Sequence, residues 1–260
     1  MEDLKVTIVQ CPLIWEDVDA NLKAFTERLS SIQPGVTDLI VLSEMFTTGF
    51  TMGAARIAET MNGKAFHWLK KTSEEKQCVI TGSIAIKDGE GFYNRLIWMR
   101  PDGTFETYNK RHTFRMANEH HTYSGGDKKL IVTLKGWRIC PLICYDLRFP
   151  VYSRNQNNYD CLIYVANWPE VRSYPWKQLL IGRAIENLSY AVGVNRIGKD
   201  GTGLEHSGDS VVLNFKGLPI SKMQAHQDVI ETVHLSYSQL EEFRKIFPAF
   251  MDADNFVITE

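Results

Sequence analysis

Apolar runs of strand length recur along the whole chain, some joined by two- or three-residue turns and others separated by amphipathic helical stretches. That mixture limits the possible architectures more than any single residue does. Residues 4–10, 39–43, 78–85, 93–99 and 104–108 read as strands, followed by 130–134, 137–143, 161–166, 191–195, 210–214 and 229–235. Asp88-Gly89 and Pro101-Asp102-Gly103 mark hairpin turns between neighbours. Elsewhere helices intervene. In 17–32, Val18, Leu22, Phe25, Leu29 and Ile32 recur at spacings of four and three, so one face is apolar; Asp17 is the expected N-cap and Pro34-Gly35 the terminator. Further helices are expected near 65–75, 151–157 and 176–188, and a charged one near 237–247. Hairpins combined with helix crossovers call for mixed sheets instead of one parallel sheet. Two such sheets face to face, with helices outside, would bury a face of every strand. The pattern by itself specifies α/β with mixed sheets. No Gly/Ser/Pro-rich linker or charge run divides the 260 residues, so one domain over 1–260 is expected, with roughly three quarters of its extended-chain surface buried.

Charge excludes two classes of partner. The net charge is −2 and the basic residues are dispersed, so neither nucleic acid nor a membrane surface is an expected partner. Five cysteines, four of them within apolar runs (Cys11, Cys78, Cys140, Cys161), argue for reduced thiols and a cytoplasmic setting. The start, Met1-Glu2-Asp3-Leu4-Lys5, has no apolar stretch of signal-peptide length, and nothing approaches the ~20 apolar residues of a membrane span.

Three of the strands end in reactive side chains. Arg138-Ile139-Cys140-Pro141-Leu142-Ile143-Cys144 is an apolar run that stops at a thiol, with Tyr145, Asp146 and Arg148 beyond it. Free cysteines are usually inert core residues, and Cys140 on the same strand fits that description. If no bulge intervenes, Cys140 and Cys144 share a face. Asp38-Leu39-Ile40-Val41-Leu42-Ser43-Glu44 ends in a carboxylate, and the run from Phe105 ends in Lys110. Taken singly, each reads as a solvated strand end. Together they supply a base, a cation and a nucleophile at strand ends, where a sheet presents catalytic groups. Desolvation would raise the Glu44 pKa toward neutrality. The Lys110 ammonium would favour the thiolate of Cys144 and stabilise an oxyanion, joined by the backbone N–H of Tyr145.

Other constellations are weaker. His120 and His121 would point apart in a strand, and no Cys-x-x-Cys or His-x-x-x-His pair completes a tetrahedral set, so no metal is expected. A Cys–His pair using His112 or His206 lacks the local cysteine signature of papain-like enzymes. Gly198-Lys199-Asp200-Gly201-Thr202-Gly203 has loop composition without a nucleotide fingerprint, and no cofactor is implied. Arg183 and Glu186, three apart on a helix, read as a buried pair. Trp176 reads as core, whereas Trp168, just past a strand end, is the better substrate-wall candidate.

The texts Leu42-Ser43-Glu44-Met45-Phe46, Tyr108-Asn109-Lys110-Arg111-His112-Thr113-Phe114 and Cys144-Tyr145-Asp146-Leu147-Arg148-Phe149-Pro150, in that order, resemble the carbon–nitrogen hydrolase (nitrilase) superfamily. The resemblance runs nearly end to end. Tyr164–Pro169, Arg183–Asn187 and Met116–Asp127 look most like its bacterial omega-amidase branch, the 2-oxoglutaramate amidases. It implies a four-layer α-β-β-α sandwich with two mixed sheets, a Glu44–Lys110–Cys144 triad, and a second carboxylate, Glu119, that holds the lysine. It also implies a homodimer or larger homo-oligomer. The activity implied is hydrolysis of the terminal amide of a short α-keto dicarboxylate monoamide, 2-oxoglutaramate or 2-oxosuccinamate. Such a substrate carries a carboxylate away from the reacting carbonyl, which calls for an arginine fork: Arg148 first, Arg115 second. Alternatives are another C–N hydrolase (N-carbamoyl amidase, aliphatic amidase, nitrilase) or a catalytically silent binding subunit on the same fold.

Overall fold

The computed structural model describes residues 1–258. In chain order the elements are β1 (Leu4–Gln10), α1 (Val18–Leu29), β2 (Leu39–Val41), α2 (Ala54–Ile57), α3 (Lys64–Lys76), β3 (Val79–Asp88), β4 (Gly91–Met99) and β5 (Phe105–Asn109). There follow β6 (Val132–Leu134), β7 (Trp137–Ile143), α4 (Pro150–Ser153), β8 (Cys161–Ala166), α5 (Ser173–Asn187) and β9 (Tyr190–Asn195). The chain continues with β10 (Ile197–Lys199), β11 (Glu205–Ser207), β12 (Val211–Leu213), β13 (Val229–Leu235) and α6 (Tyr237–Ile246). One sheet has six strands in the order β13-β1-β2-β3-β4-β5, the other five in the order β12-β9-β8-β7-β6. Both are mixed. β1, β2 and β3 are parallel, as are β7, β8 and β9, with antiparallel partners at the edges.

Period-two alternation builds the layers. Val6, Leu39, Val41, Leu96 and Trp98 join one core with the five-stranded sheet, whereas Val9, Ile40, Ile80, Ile84 and Ile97 join another with Leu22, Phe25 and Leu29 of α1 and Leu69 of α3. The six-stranded sheet therefore has one face on its partner sheet and one on helices. α5 covers the outer face of the other sheet, where Gly193 lets Trp176 and Leu180 approach so closely that a Cβ would meet them at 2.9 and 2.5 Å. The result is the four-layer α-β-β-α sandwich.

Three local expectations need correction. The helix near 151–157 is only the four residues of α4, because Asn155 Oδ1 accepts from the backbone N–H of Asn158 (2.9 Å) and Tyr159 (3.3 Å) and so draws the chain into a turn. The stretch around Gly198 is a hairpin, β10–β11, whose turn closes on Asp200 Oδ1, the acceptor for the Thr202 and Leu204 N–H groups. His120 and His121 lie in a 3-10 turn instead of a strand, and their rings sit 3.9 Å apart instead of diverging.

Candidate active site

The carboxyl ends of the parallel strands of both sheets meet at one place. β2 ends at Val41, and Glu44 follows through Leu42, whose N–H donates to Thr81 O (2.8 Å). Met45, next to Glu44, adopts a positive φ of 41° and donates its N–H to Ser83 Oγ (2.9 Å). Lys110 directly follows β5, and its N–H donates to Asn94 O (2.9 Å). Cys144 follows β7 at φ 44°, the left-handed region in which a non-glycine residue is strained. It opens a 3-10 turn, so it leaves the strand on which Cys140 lies. Cys144 reaches a cavity; Cys140 stays in the core.

The side chains of Glu44, Lys110 and Glu119 converge. Lys110 Nζ donates to Glu44 Oε1 (2.9 Å) and to both oxygens of Glu119 (3.0 and 2.9 Å). All three are essentially without solvent contact, at 1% exposure or less. Glu44 also accepts from Asn94 Nδ2 and from the Asn167 N–H, each at 2.8 Å, and its carbonyl oxygen accepts from Asn167 Nδ2. Glu119 Oε2 accepts from the Phe114 N–H (2.5 Å). Burial opposes the Lys110 charge, but Glu119 and Glu44 outweigh it and hold the amine firmly as ammonium. Burial raises Glu119 above the usual carboxylate range, against the pull of Lys110.

Lys110 does favour the Cys144 thiolate, but it does not prevail. Burial, and next the Glu44 carboxylate, push the thiol well above the ordinary value, and Lys110 only partly offsets them. The lysine is already engaged by two carboxylates, so it does not generate a standing thiolate. A group whose pKa lies above neutrality is protonated at pH 7. Alkylation of Cys144 by iodoacetamide should therefore accelerate by roughly tenfold per pH unit from pH 6 to 8.5 with no plateau, followed by labelling mass spectrometry.

The turn carrying Cys144 is braced from two sides. Asp146, fully buried, accepts from the Tyr108 hydroxyl (2.7 Å), the His112 N–H (3.0 Å) and the Ile143 N–H (3.0 Å). Arg183 donates to Leu147 O (2.7 Å) and pairs with Glu186 (2.9 Å). His112 Nδ1 lies 2.8 Å from Asp146 Oδ1, and its ring stacks on Phe149 at 3.8 Å, so it serves this brace. His206 lines the cavity but is held neutral, its pKa pushed down to about 4 by burial and Arg196.

Above the cluster lies a cavity of about 790 Å³, walled by Phe50, Phe114, Tyr145 and Trp168. Arg148 lines it with its guanidinium 5.2 Å from the Trp168 ring, and neither Asp146 nor Glu119 pairs with it. Arg115 is exposed and does not line it, because it sits on the outer side of the 3-10 turn after Lys110. Arg172 lines it instead, 5.4 Å over Phe114. Sequence reasoning missed Arg172, Asn94 and Asn167. Only Asn167, next to the Trp168 named from its strand-end position, carried a signal.

A four-layer sandwich with a buried carboxylate–ammonium pair beside a cysteine at its strand ends defines a nitrilase-type hydrolase. The chain belongs to the carbon–nitrogen hydrolase family, whose model matches residues 5–245. It is 46% identical to omega-amidase YafV of Escherichia coli K12 over 98% of this chain and 99% of that protein. It is 30% identical to the 2-oxoglutaramate amidase of Bacillus subtilis, over 83% and 84% of the two chains. Among solved structures, XC1258 of Xanthomonas campestris, a CN-hydrolase superfamily protein with an arsenic adduct in its active site, superimposes with a TM-score of 0.97. It is 41% identical and matched over all of both chains. The protein is an enzyme. Among the described residues no helix is long and apolar enough to cross a membrane.

Proposed function

We propose that the protein is an omega-amidase that hydrolyses the terminal amide of 2-oxoglutaramate or 2-oxosuccinamate, releasing ammonia, through a Cys144 thioester. The observation that carries this reading is the buried Glu44–Lys110–Glu119 cluster beside Cys144, at the base of a cavity whose Arg148 and Arg172 have no carboxylate partner among the described residues. The identity to omega-amidase YafV supports the substrate class. Glu44 takes the thiol proton as the sulfur attacks the amide carbon. Lys110 and the Tyr145 N–H stabilise the tetrahedral oxyanion. The C–N bond breaks as Glu44 returns the proton to nitrogen, and ammonia leaves. Glu44 then draws a proton from water, which attacks the thioester; the C–S bond breaks and the proton passes to sulfur. Glu119 holds Lys110 and helps position the water. The enzyme works in the cytoplasm as a homodimer or larger assembly. Five unpaired buried cysteines support the first point, and apolar side chains exposed on and beside α5 (Val171, Tyr174, Ile185) support the second.

The test is ammonia release from a panel of 2-oxoglutaramate, 2-oxosuccinamate, hexanamide and aliphatic nitriles. The two keto-acid amides should have the highest kcat/KM; a faster neutral amide or nitrile would sink the reading. On the same panel Arg148→Lys should raise KM for 2-oxoglutaramate by roughly tenfold or more and leave hexanamide nearly unchanged, since a point charge cannot reproduce bidentate carboxylate binding. An equal loss on both would assign Arg148 a structural role.

A further inference from the structure

We infer that Arg172 selects substrates by their carboxylate, and that the site's opposed charges decide which end of the substrate meets Cys144. This rests on the omega-amidase reading and extends it to a residue and an orientation.

The side chain of Arg172 makes no hydrogen bond and no ion pair among the described residues, although it is only half-exposed and lines the cavity. Arg56, in the same wall, is already paired with Glu16 at 2.7 Å. A guanidinium whose donors are left free in a cavity wall is a receptor for a planar anion. Its main chain is fixed: the N–H donates to Pro169 O (2.9 Å), and the carbonyl accepts from Trp168 Nε1 (2.7 Å). Trp168 is also the ring beneath Arg148, so one indole supports both arginines. Phe114, the ring beneath Arg172, donates its N–H to Glu119, the carboxylate that holds Lys110. The anion receptor and the reactive cluster are thus built on shared residues.

The floor has the opposite character. Two carboxylates against one ammonium leave an excess negative charge there, out of contact with water. A substrate carboxylate is repelled from the floor and drawn to the arginines, which leaves the neutral amide as the end that reaches Cys144.

Arg172→Gln and Arg172→Lys, assayed on 2-oxoglutaramate and on pentanamide, test this. The glutamine variant should raise KM for 2-oxoglutaramate by about 30-fold and weaken competitive inhibition by 2-oxoglutarate similarly, with kcat/KM for pentanamide within about threefold of the parent. The lysine variant should recover part of the 2-oxoglutarate inhibition, because the charge returns without the fork. Unchanged KM in Arg172→Gln, or equal losses on both amides, overturns the role of Arg172 while the omega-amidase reading stands. If the parent enzyme itself does not prefer 2-oxoglutaramate to pentanamide, both fall.

Discussion

Cys144→Ala should reduce ammonia release from 2-oxoglutaramate by at least about 10⁴-fold while the protein still folds, because no other group beside the cluster can form the covalent intermediate. His206 is neutral and Cys140 is enclosed in the core, so neither substitutes for the thiol. The cost to stability is small. The thiol is small, the Glu44 carboxylate beside it keeps three other donors (Asn94 Nδ2, Lys110 Nζ and the Asn167 N–H), and the strained backbone at φ 44° strains alanine as much as cysteine. Ammonia release and a thermal melt by circular dichroism decide it. Activity within about tenfold of the parent rules out covalent catalysis here.

Glu44→Gln should be nearly inactive, with kcat down by at least about 10³-fold, since glutamine keeps the shape but cannot carry the proton. The fold should survive with a lowered Tm. Both carboxylate oxygens now accept, Oε1 from Asn94 Nδ2 and Lys110 Nζ and Oε2 from the Asn167 N–H, so in either orientation the amide NH2 would meet a donor. The same variant makes a second, opposite prediction. Glu44 is among the groups that raise the Cys144 pKa, so removing its charge lowers that pKa and lets Lys110 favour the thiolate. Alkylation by iodoacetamide at pH 7 should then become faster as turnover disappears. If Glu44 were only a structural acid, both rates would fall together. Lys110→Met is a harsher change, expected to lose at least ~100-fold in rate. It also leaves Glu44 and Glu119 buried without their cation, at a stability cost of about 3–5 kcal/mol. A fully active Lys110→Met beside a dead His112→Ala would return the site to a Cys–His pair.

Several features were legible because they depend on neighbours along the chain. The unbroken apolar run from Leu39 to Leu42 marks a strand buried on both faces, and Leu39 and Val41 do enter one core while Ile40 and Leu42 enter the other. The hairpin after Asp88 depends on a short turn and appears in register, with Asp88 opposite Gly91. Glu44 and Cys144 stood out because each ends an apolar run, and Lys110 because it ends the alternating stretch from Phe105. Arg115 was misplaced for the complementary reason: nearness to Lys110 in sequence says nothing about which side of a 3-10 turn faces the cavity.

By itself, then, the sequence determined most of the strands and helices, the apolar face of the first helix and the three reactive strand ends, since these rest on periodicity and composition over a few residues. Tertiary structure alone decided that β13 pairs with β1, 225 positions from Thr7 to Thr232, and that Asn167 reaches Glu44 across 123 positions. It also decided that Lys110 is shared between two carboxylates and that the Arg172 side chain has no partner among the described residues. Protonation followed from the same source: the Cys144 thiol stays protonated because burial removes water from it and Glu44 stands beside it. Desolvation and the closeness of charges belong to the packed chain, and no local pattern of residues records them.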